Sequence, residues 1–146
     1  TVKENVLLYR NLGIEMINEN KPEEAAEWLR KAVSLNKTDP ALRNSLGVAL
    51  TMMGKYSEAE EEYKKALQFD PTSIRARNNL GMLYLHTGKN DDALVQFQET
   101  LRLQSRFANA HYRLAVIYKR KRLNEKANYH YQEAIRINPE YGKMDF

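Results

Sequence analysis

The sequence predicts an all-α protein made of four tandem helix–turn–helix repeats. Three observations carry that expectation: a 34-residue period held without insertion, apolar residues at helical spacing within each copy, and small residues returning in the same columns. Leu12, Leu46, Leu80 and Leu114 stand 34 apart, and so do Gly13, Gly47, Gly81 and Ala115. Ala25, Ala59, Ala93 and Ala127 form a third column, and Ala32, Ala66, Thr100 and Ala134 a fourth. The copies run 6–39, 40–73, 74–107 and 108–141, and residues 1–146 are read as a single domain.

Each copy holds two apolar stripes separated by a breaker. In the second copy, Leu42, Leu46, Ala49 and Leu50 recur at three- and four-residue steps, which line one face of a helix. Gly54 ends that helix; Ala59, Tyr63, Ala66 and Leu67 make the next stripe, and Asp70-Pro71 closes it. Pro40 suits a first helical turn, where the amide it lacks has no partner, and Asp39 before it is the expected cap. Asn20 ahead of Pro22 predicts a similar start for the second helix of the first copy.

The small-residue columns have a physical cause. Glycine inside a helix costs ~1 kcal/mol relative to alanine, so its return at 13, 47 and 81 needs an offset. Close approach of the paired helix supplies one, and a larger side chain there would overpack at ~1–3 kcal/mol.

Leu46-Gly47, Gly54, Tyr56, Ala59, Tyr63, Ala66 and Pro71 resemble the signature of the tetratricopeptide repeat family at its expected offsets, and four copies of 34 cover 136 of the 146 residues. Lys37 and Ser105 replace the late proline, and Asn20 and Arg122 replace the mid-turn glycine, which weakens the turn expectations at those places. The resemblance implies a right-handed superhelical solenoid of stacked hairpins, with the first helix of each pair lining a concave groove. It also implies a protein–protein interaction scaffold and not an enzyme.

Composition narrows the remaining classes. With 42% hydrophobic and 29% charged residues the chain falls among folded proteins and not disordered ones. No apolar run approaches the ~20 residues a membrane-spanning helix needs. There are no cysteines, which removes disulfides, thiol catalysis and thiolate zinc sites. His86, His111 and His130 stand in no metal-binding spacing, so neither a metal nor a cofactor is expected. The start at Thr1-Val2-Lys3-Glu4-Asn5 has no initiator methionine and no signal-peptide core, and the chain is read as a segment of a longer protein.

A second stripe on each first helix is free of the core columns. Counting each copy from its first residue, position 9 is apolar throughout: Ile14, Val48, Met82 and Val116. Position 6 holds Asn11, Ser45, Asn79 and Arg113; position 5 holds Arg10, Asn44, Asn78 and Tyr112; position 2 holds Leu7, Ala41, Arg75 and Asn109. An apolar floor beside a row of donors suits an extended peptide, whose side chains meet the floor while its backbone meets the donors. Two explanations fit these columns. Position 9 is a groove floor or packs on the adjacent repeat, and the polar row binds a partner or is merely solvated.

The candidate groove residues are Asn11, Ile14, Asn44, Val48, Arg75, Asn78, Asn79, Met82, Asn109, Tyr112, Arg113 and Val116. The polar row resembles the asparagine ladder in the repeat domain of the O-linked N-acetylglucosamine transferases, interrupted here by Ser45 and Arg113. The clamp with which some relatives grip a C-terminal carboxylate is not reproduced. Over the second to fourth copies only Asn79 and Arg113 match it, and over the first to third only Arg10 and Arg75 come near.

Charge is uneven, at −1, −1, +2 and +4 over the four copies in order. The run Lys119-Arg120-Lys121-Arg122, with Lys126 nearby, is read as a solvated turn, and nucleic acid is not the expected partner. Glu60-Glu61-Glu62 and Asp91-Asp92 are sequence neighbours and point different ways round a helix, so neither is an acid–base pair. Past Tyr141 the chain is too short for another helix. An uncapped apolar end is therefore expected around Tyr131, Ala134, Ile135 and Ile137, with self-association through it as one outcome. The expected role is a scaffold binding a peptide or protein in the groove; the alternative is a recognition or assembly arm of a larger protein such as a glycosyltransferase.

Overall fold

The computed structural model describes residues 1–146, and all of their regular structure is helical. Eight α-helices follow one another: α1 (Val2–Asn18), α2 (Pro22–Leu35), α3 (Pro40–Met52), α4 (Tyr56–Phe69), α5 (Ile74–His86), α6 (Asn90–Leu103), α7 (Ala108–Arg120) and α8 (Asn124–Ile137). A short 3₁₀ turn occupies Pro139–Lys143. The sequence period survives in the backbone, because α3, α5 and α7 begin 34 residues apart, as do α2, α4, α6 and α8. The predicted tandem helix–turn–helix array is what the chain forms.

The helices gather into two compact units, Thr1–Leu83 and Tyr84–Phe146, with the boundary inside α5. In the N-terminal unit α1 pairs with α2, α3 pairs with α4, and α2 also packs on α3. Its core is Leu29, Leu42, Leu46, Leu50 and Tyr63 with the small residues Ala25, Ala49, Ala59 and Ala66. In the C-terminal unit α7 pairs with α8 and packs on α6, around Phe97, Leu114 and Ile117 with Ala93, Ala127 and Ala134. Each fully buried leucine contributes ~2 kcal/mol of apolar transfer.

Close approach within the helix pairs is real. A Cβ added at Gly13 would stand 2.5 Å from Cγ of Leu29, and one at Gly47 would stand 2.6 Å from Cε1 of Tyr63. Neither neighbour is free to yield. Leu29 is wholly buried, and the Tyr63 hydroxyl is held 3.1 Å from the Thr51 hydroxyl.

The helix ends follow local chemistry. Asp39 caps α3 as expected, its Oδ1 accepting from the amides of Ala41 and Leu42 at 2.9 and 3.2 Å. Helix α1 begins four residues before the first copy, because Thr1 and Glu4 form a reciprocal capping box. The expectation for Asn20 needs correcting: it does not start α2, which opens at Pro22 after Lys21 with no side-chain cap.

Asn20 instead occupies the left-handed turn. Its φ of 58° and that of Arg122, 61°, match Gly54 at 75° and Gly88 at 79°. In every copy the amide of the next residue returns to the preceding helix: Lys21 to Met16, Lys55 to Leu50, Lys89 to Tyr84 and Leu123 to Tyr118, all at 2.8–2.9 Å. This is the glycine-type C-terminal closure, formed here four times. The departures from glycine thus change the strain and leave the turn intact.

In the first, second and fourth copies, positions 4 and 23 clasp the two helices by a different chemistry each time. Tyr9 stacks on Trp28 at 5.7 Å, and Arg43 meets Glu62 at 3.0 Å. In the last copy His111 Nδ1 lies 3.0 Å from His130 Nδ1. The position-4 side chain also ties the preceding loop: Arg43 donates to the Lys37 carbonyl at 2.9 Å, Arg77 to that of Pro71 at 2.9 Å, and His111 Nε2 lies 3.0 Å from that of Ser105. A carbonyl only accepts, so His111 carries its proton on Nε2 and receives at Nδ1 a bond that His130 donates. Burial first, then the neighbouring His111, lowers the His130 pKa from its ordinary 6.5 to about 4, while Glu133 pulls the other way.

Two outcomes follow from the turn and the clasp. Arg122 adopts a left-handed backbone that costs a side-chain-bearing residue ~1 kcal/mol, so Arg122→Gly raises the unfolding free energy by about that much in urea denaturation. An unchanged or lower stability contradicts the strain.

For His130 the folded pKa lies below the unfolded one. The unfolded chain then takes up the proton first as pH falls, and stability is full above ~6.5 and drains away towards ~4. Because the ring is half-exposed, solvent screening brings the effect between about pH 7 and pH 5 to the order of 1 kcal/mol. His130→Gln flattens this slope in denaturation curves; a slope that persists in the variant assigns it to other groups.

Candidate functional site

The N-terminal unit places Asn11 and Ile14 on α1, Asn44 and Val48 on α3, and Arg75, Asn78, Asn79 and Met82 on α5. Asn11 and Arg75 are exposed, Ile14, Val48, Asn78, Asn79 and Met82 are half-buried, and Asn44 is buried. The polar row is partly satisfied within itself, since Asn79 Nδ2 donates to Asn44 Oδ1 at 3.0 Å across α5 and α3. Asn78 is less settled: its Oδ1 is buried with no hydrogen-bond partner.

A cavity of about 260 Å³ opens on this face, walled by Ile14, Asn44 and Arg75 together with Arg10, Ser45 and Asp70. Arg10 and Arg75 are exposed and have no carboxylate partner. Asp70 is already engaged, its Oδ1 accepting from the Thr72 amide at 3.0 Å and the Thr72 hydroxyl at 2.7 Å. Those donors are neutral and leave the Asp70 charge in place, so the lining carries two guanidinium groups against one carboxylate and is positive by one. Arg10 and Ser45 stand in the sequence columns yet outside the candidate set, and Asp70 was read only as a helix end; its place on the wall is set by the α4–α5 loop.

A larger cleft, about 520 Å³, lies at the start of α1 between Val2, Val6 and Leu7 and the end of α2 at Leu35. None of the candidate groove residues lines it.

In the C-terminal unit the candidate residues lie on α7 and are met by the chain's own last residues. Asn109 Nδ2 donates to the Tyr141 hydroxyl at 3.4 Å, and the Tyr112 hydroxyl donates to the Asp145 carbonyl at 2.9 Å. Arg113 lies 5.5 Å over the Tyr112 ring, and Val116 is half-buried. Asn109 Oδ1 and Arg113 Nε are buried without hydrogen-bond partners.

This corrects the expectation of an uncapped end. Asn138 accepts from the Glu140 amide at 3.1 Å, Pro139 starts the 3₁₀ turn, and the reversed chain lays Tyr141 and Phe146 back on α7 and α8.

The basic run is solvent-exposed, as expected of a solvated turn, and its contacts are surface ones. Lys121 meets Asp91 at 2.5 Å, Arg120 donates to Asn90 at 3.4 Å, and Lys126 lies 5.5 Å from the Tyr118 ring. No helix is long and apolar enough to cross a membrane.

Comparison with known proteins adds three sequence-profile matches. Profiles described as tetratricopeptide repeat match residues 8–39 and 75–141, and one described as TPR repeat matches 49–88. No curated protein sequence matches the chain.

Among solved structures the chain is similar to MamA of Desulfovibrio magneticus RS-1, from residue 41 onward. That likeness is 26% identical, spans 96% of this chain and 79% of that one, and has a TM-score of 0.86. It is similar also to PilF of Pseudomonas aeruginosa (22% identity, 94% and 63% of the chains, TM-score 0.85) and to the TPR domain of Arabidopsis OM64 (17%, 82% and 99%, 0.79). At those lower identities the likeness is one of fold. Together the profiles leave only residues 1–7, 40–48 and 142–146 unmatched, and the chain belongs to the tetratricopeptide repeat family of protein-interaction scaffolds.

Proposed function

We propose that the α1–α3–α5 face of the N-terminal unit binds an extended peptide segment of a protein partner, and that the segment carries an acidic side chain. The observation that carries this reading is the cavity beside Ile14, where Arg10 and Arg75 stand without carboxylate partners. Ile14, Val48 and Met82 supply the apolar floor; Asn11, Asn44, Asn78 and Asn79 supply amides for a peptide backbone. On α7, Asn109, Tyr112, Arg113 and Val116 offer comparable chemistry in the C-terminal unit. The role is binding, with no chemical step assigned to the chain, and residues 1–146 serve as one interaction domain.

The exposed Val2, Leu7 and Leu8 of α1, beside the apolar cleft, favour a second reading as an assembly arm of a larger protein. Self-association together with no peptide binding would move the assignment there.

The test uses the whole chain and a panel of fluorescent peptides of about ten residues, apolar positions alternating with one Asp, Lys or Gln. The acidic members bind best in anisotropy titrations. The double variant Asn79→Ala/Met82→Glu weakens them ~10-fold or more with unchanged helical circular dichroism, a loss of ~1.4 kcal/mol. Equal affinity of variant and parent removes this face from consideration.

A further inference from the structure

The contacts between the last residues and the α7–α8 pair follow a pattern that a fold-end cap does not require. Every polar bond that α7 and α8 make to the backbone of this tail goes to a carbonyl. Tyr112 donates to Asp145 at 2.9 Å, and the Tyr131 hydroxyl lies 3.4 Å from the carbonyls of both Tyr141 and Met144. Only two tail side chains are gripped. The Tyr141 ring packs on Tyr112 at 5.1 Å, with its hydroxyl taken by Asn109, and Phe146 stacks on Tyr131 at 4.1 Å with Lys119 4.7 Å above it. The residues between contribute nothing sideways: Lys143 pairs with Glu140 inside the tail, and Met144 is exposed.

Backbone carbonyls met by the Tyr112 and Tyr131 hydroxyls, with aromatic side chains held at two positions, is a pattern that a peptide segment from another chain could reproduce. The tail sits on two of the candidate partner residues, Asn109 and Tyr112.

We propose that Tyr141–Phe146 is an intramolecular occupant of a peptide-docking face on α7 and α8, displaced by a partner segment bearing two aromatic residues five positions apart. The inference rests on α7 being a partner surface, as in the reading above, but on residues of the C-terminal unit alone. Joined to its site by a few residues, the tail acts at an effective concentration of order millimolar. A free segment of the same chemistry therefore binds the intact chain weakly, and binds well once the tail's own rings are gone. Loss of binding in the N-terminal unit through Asn79 and Met82 leaves this prediction untouched.

The probe is a fluorescent peptide with the sequence of Asn138 to Phe146, titrated into the 146-residue chain. Tyr141→Ala/Phe146→Ala binds it at least ~10-fold more tightly than the parent, because the competitor in cis has lost its anchors. Phe146→Ala alone, which keeps the 3₁₀ turn, gives an intermediate gain. Adding Tyr112→Phe and Tyr131→Phe, which delete the carbonyl-catching hydroxyls and keep the rings, cancels most of that gain. Equal binding to parent and double variant overturns the proposal, and so does no binding to either; in both cases the tail is a structural cap only.

Discussion

The first two helical hairpins depend on how closely their helices approach, and that distance is set where a glycine on one helix faces a large side chain on the other. At Gly13 against Leu29, and at Gly47 against Tyr63, there is no room for even a methyl group. The approach lets the small columns at Ala25, Ala59 and Ala66 seal the interior. The helix is weakened locally by the glycine, and the packing of Leu29 and Tyr63 offsets that loss.

From that spacing the remaining devices follow. A short, left-handed closure joins the helices at the same register four times, whether glycine, asparagine or arginine occupies it. Opposite the closure, positions 4 and 23 come within bonding range and are filled by an aromatic stack, an ion pair or a histidine pair. Since the backbone geometry is conserved from copy to copy, chemistry can vary at such positions without disturbing the fold. In the reading proposed above, that freedom is what the first-helix faces use for recognition. Rigid helices hold Arg10 and Arg75 on one wall of a cavity, and hold Tyr112 and Tyr131 where a peptide backbone meets them.

The period, the helix pairs, the core columns and the cap at Asp39 were all legible in the sequence, because each rests on local spacing and on residue size. Three features were not. The αL conformation is one that Asn20 tolerates and that the hairpin imposes on Arg122, but Asn also suits a helix N-cap, so residue type with Pro22 after it pointed Asn20 to a helix start. His111 and His130 are 19 apart and meet only because the hairpin brings positions 4 and 23 together. The covered C-terminal end was hidden because a 3₁₀ turn of five residues leaves no periodic trace. Of the candidate groove, the columns fixed which helix faces to inspect. That Asn79 would bond Asn44, and that Arg10 would join the wall, depended on distances between helices.

A double-mutant cycle at Gly47 and Tyr63 tests the close approach most directly, read as unfolding free energies in urea. In the parent, Gly47→Ala collides with a held ring and destabilises by ~1–2 kcal/mol, in spite of the better helix propensity of alanine. In the Tyr63→Ala background the obstacle is gone, and the same substitution becomes stabilising by ~0.5–1 kcal/mol. That reversal of sign is the expected result. An equal effect of Gly47→Ala in both backgrounds would contradict it and place the origin of the glycine column elsewhere than in the helix contact.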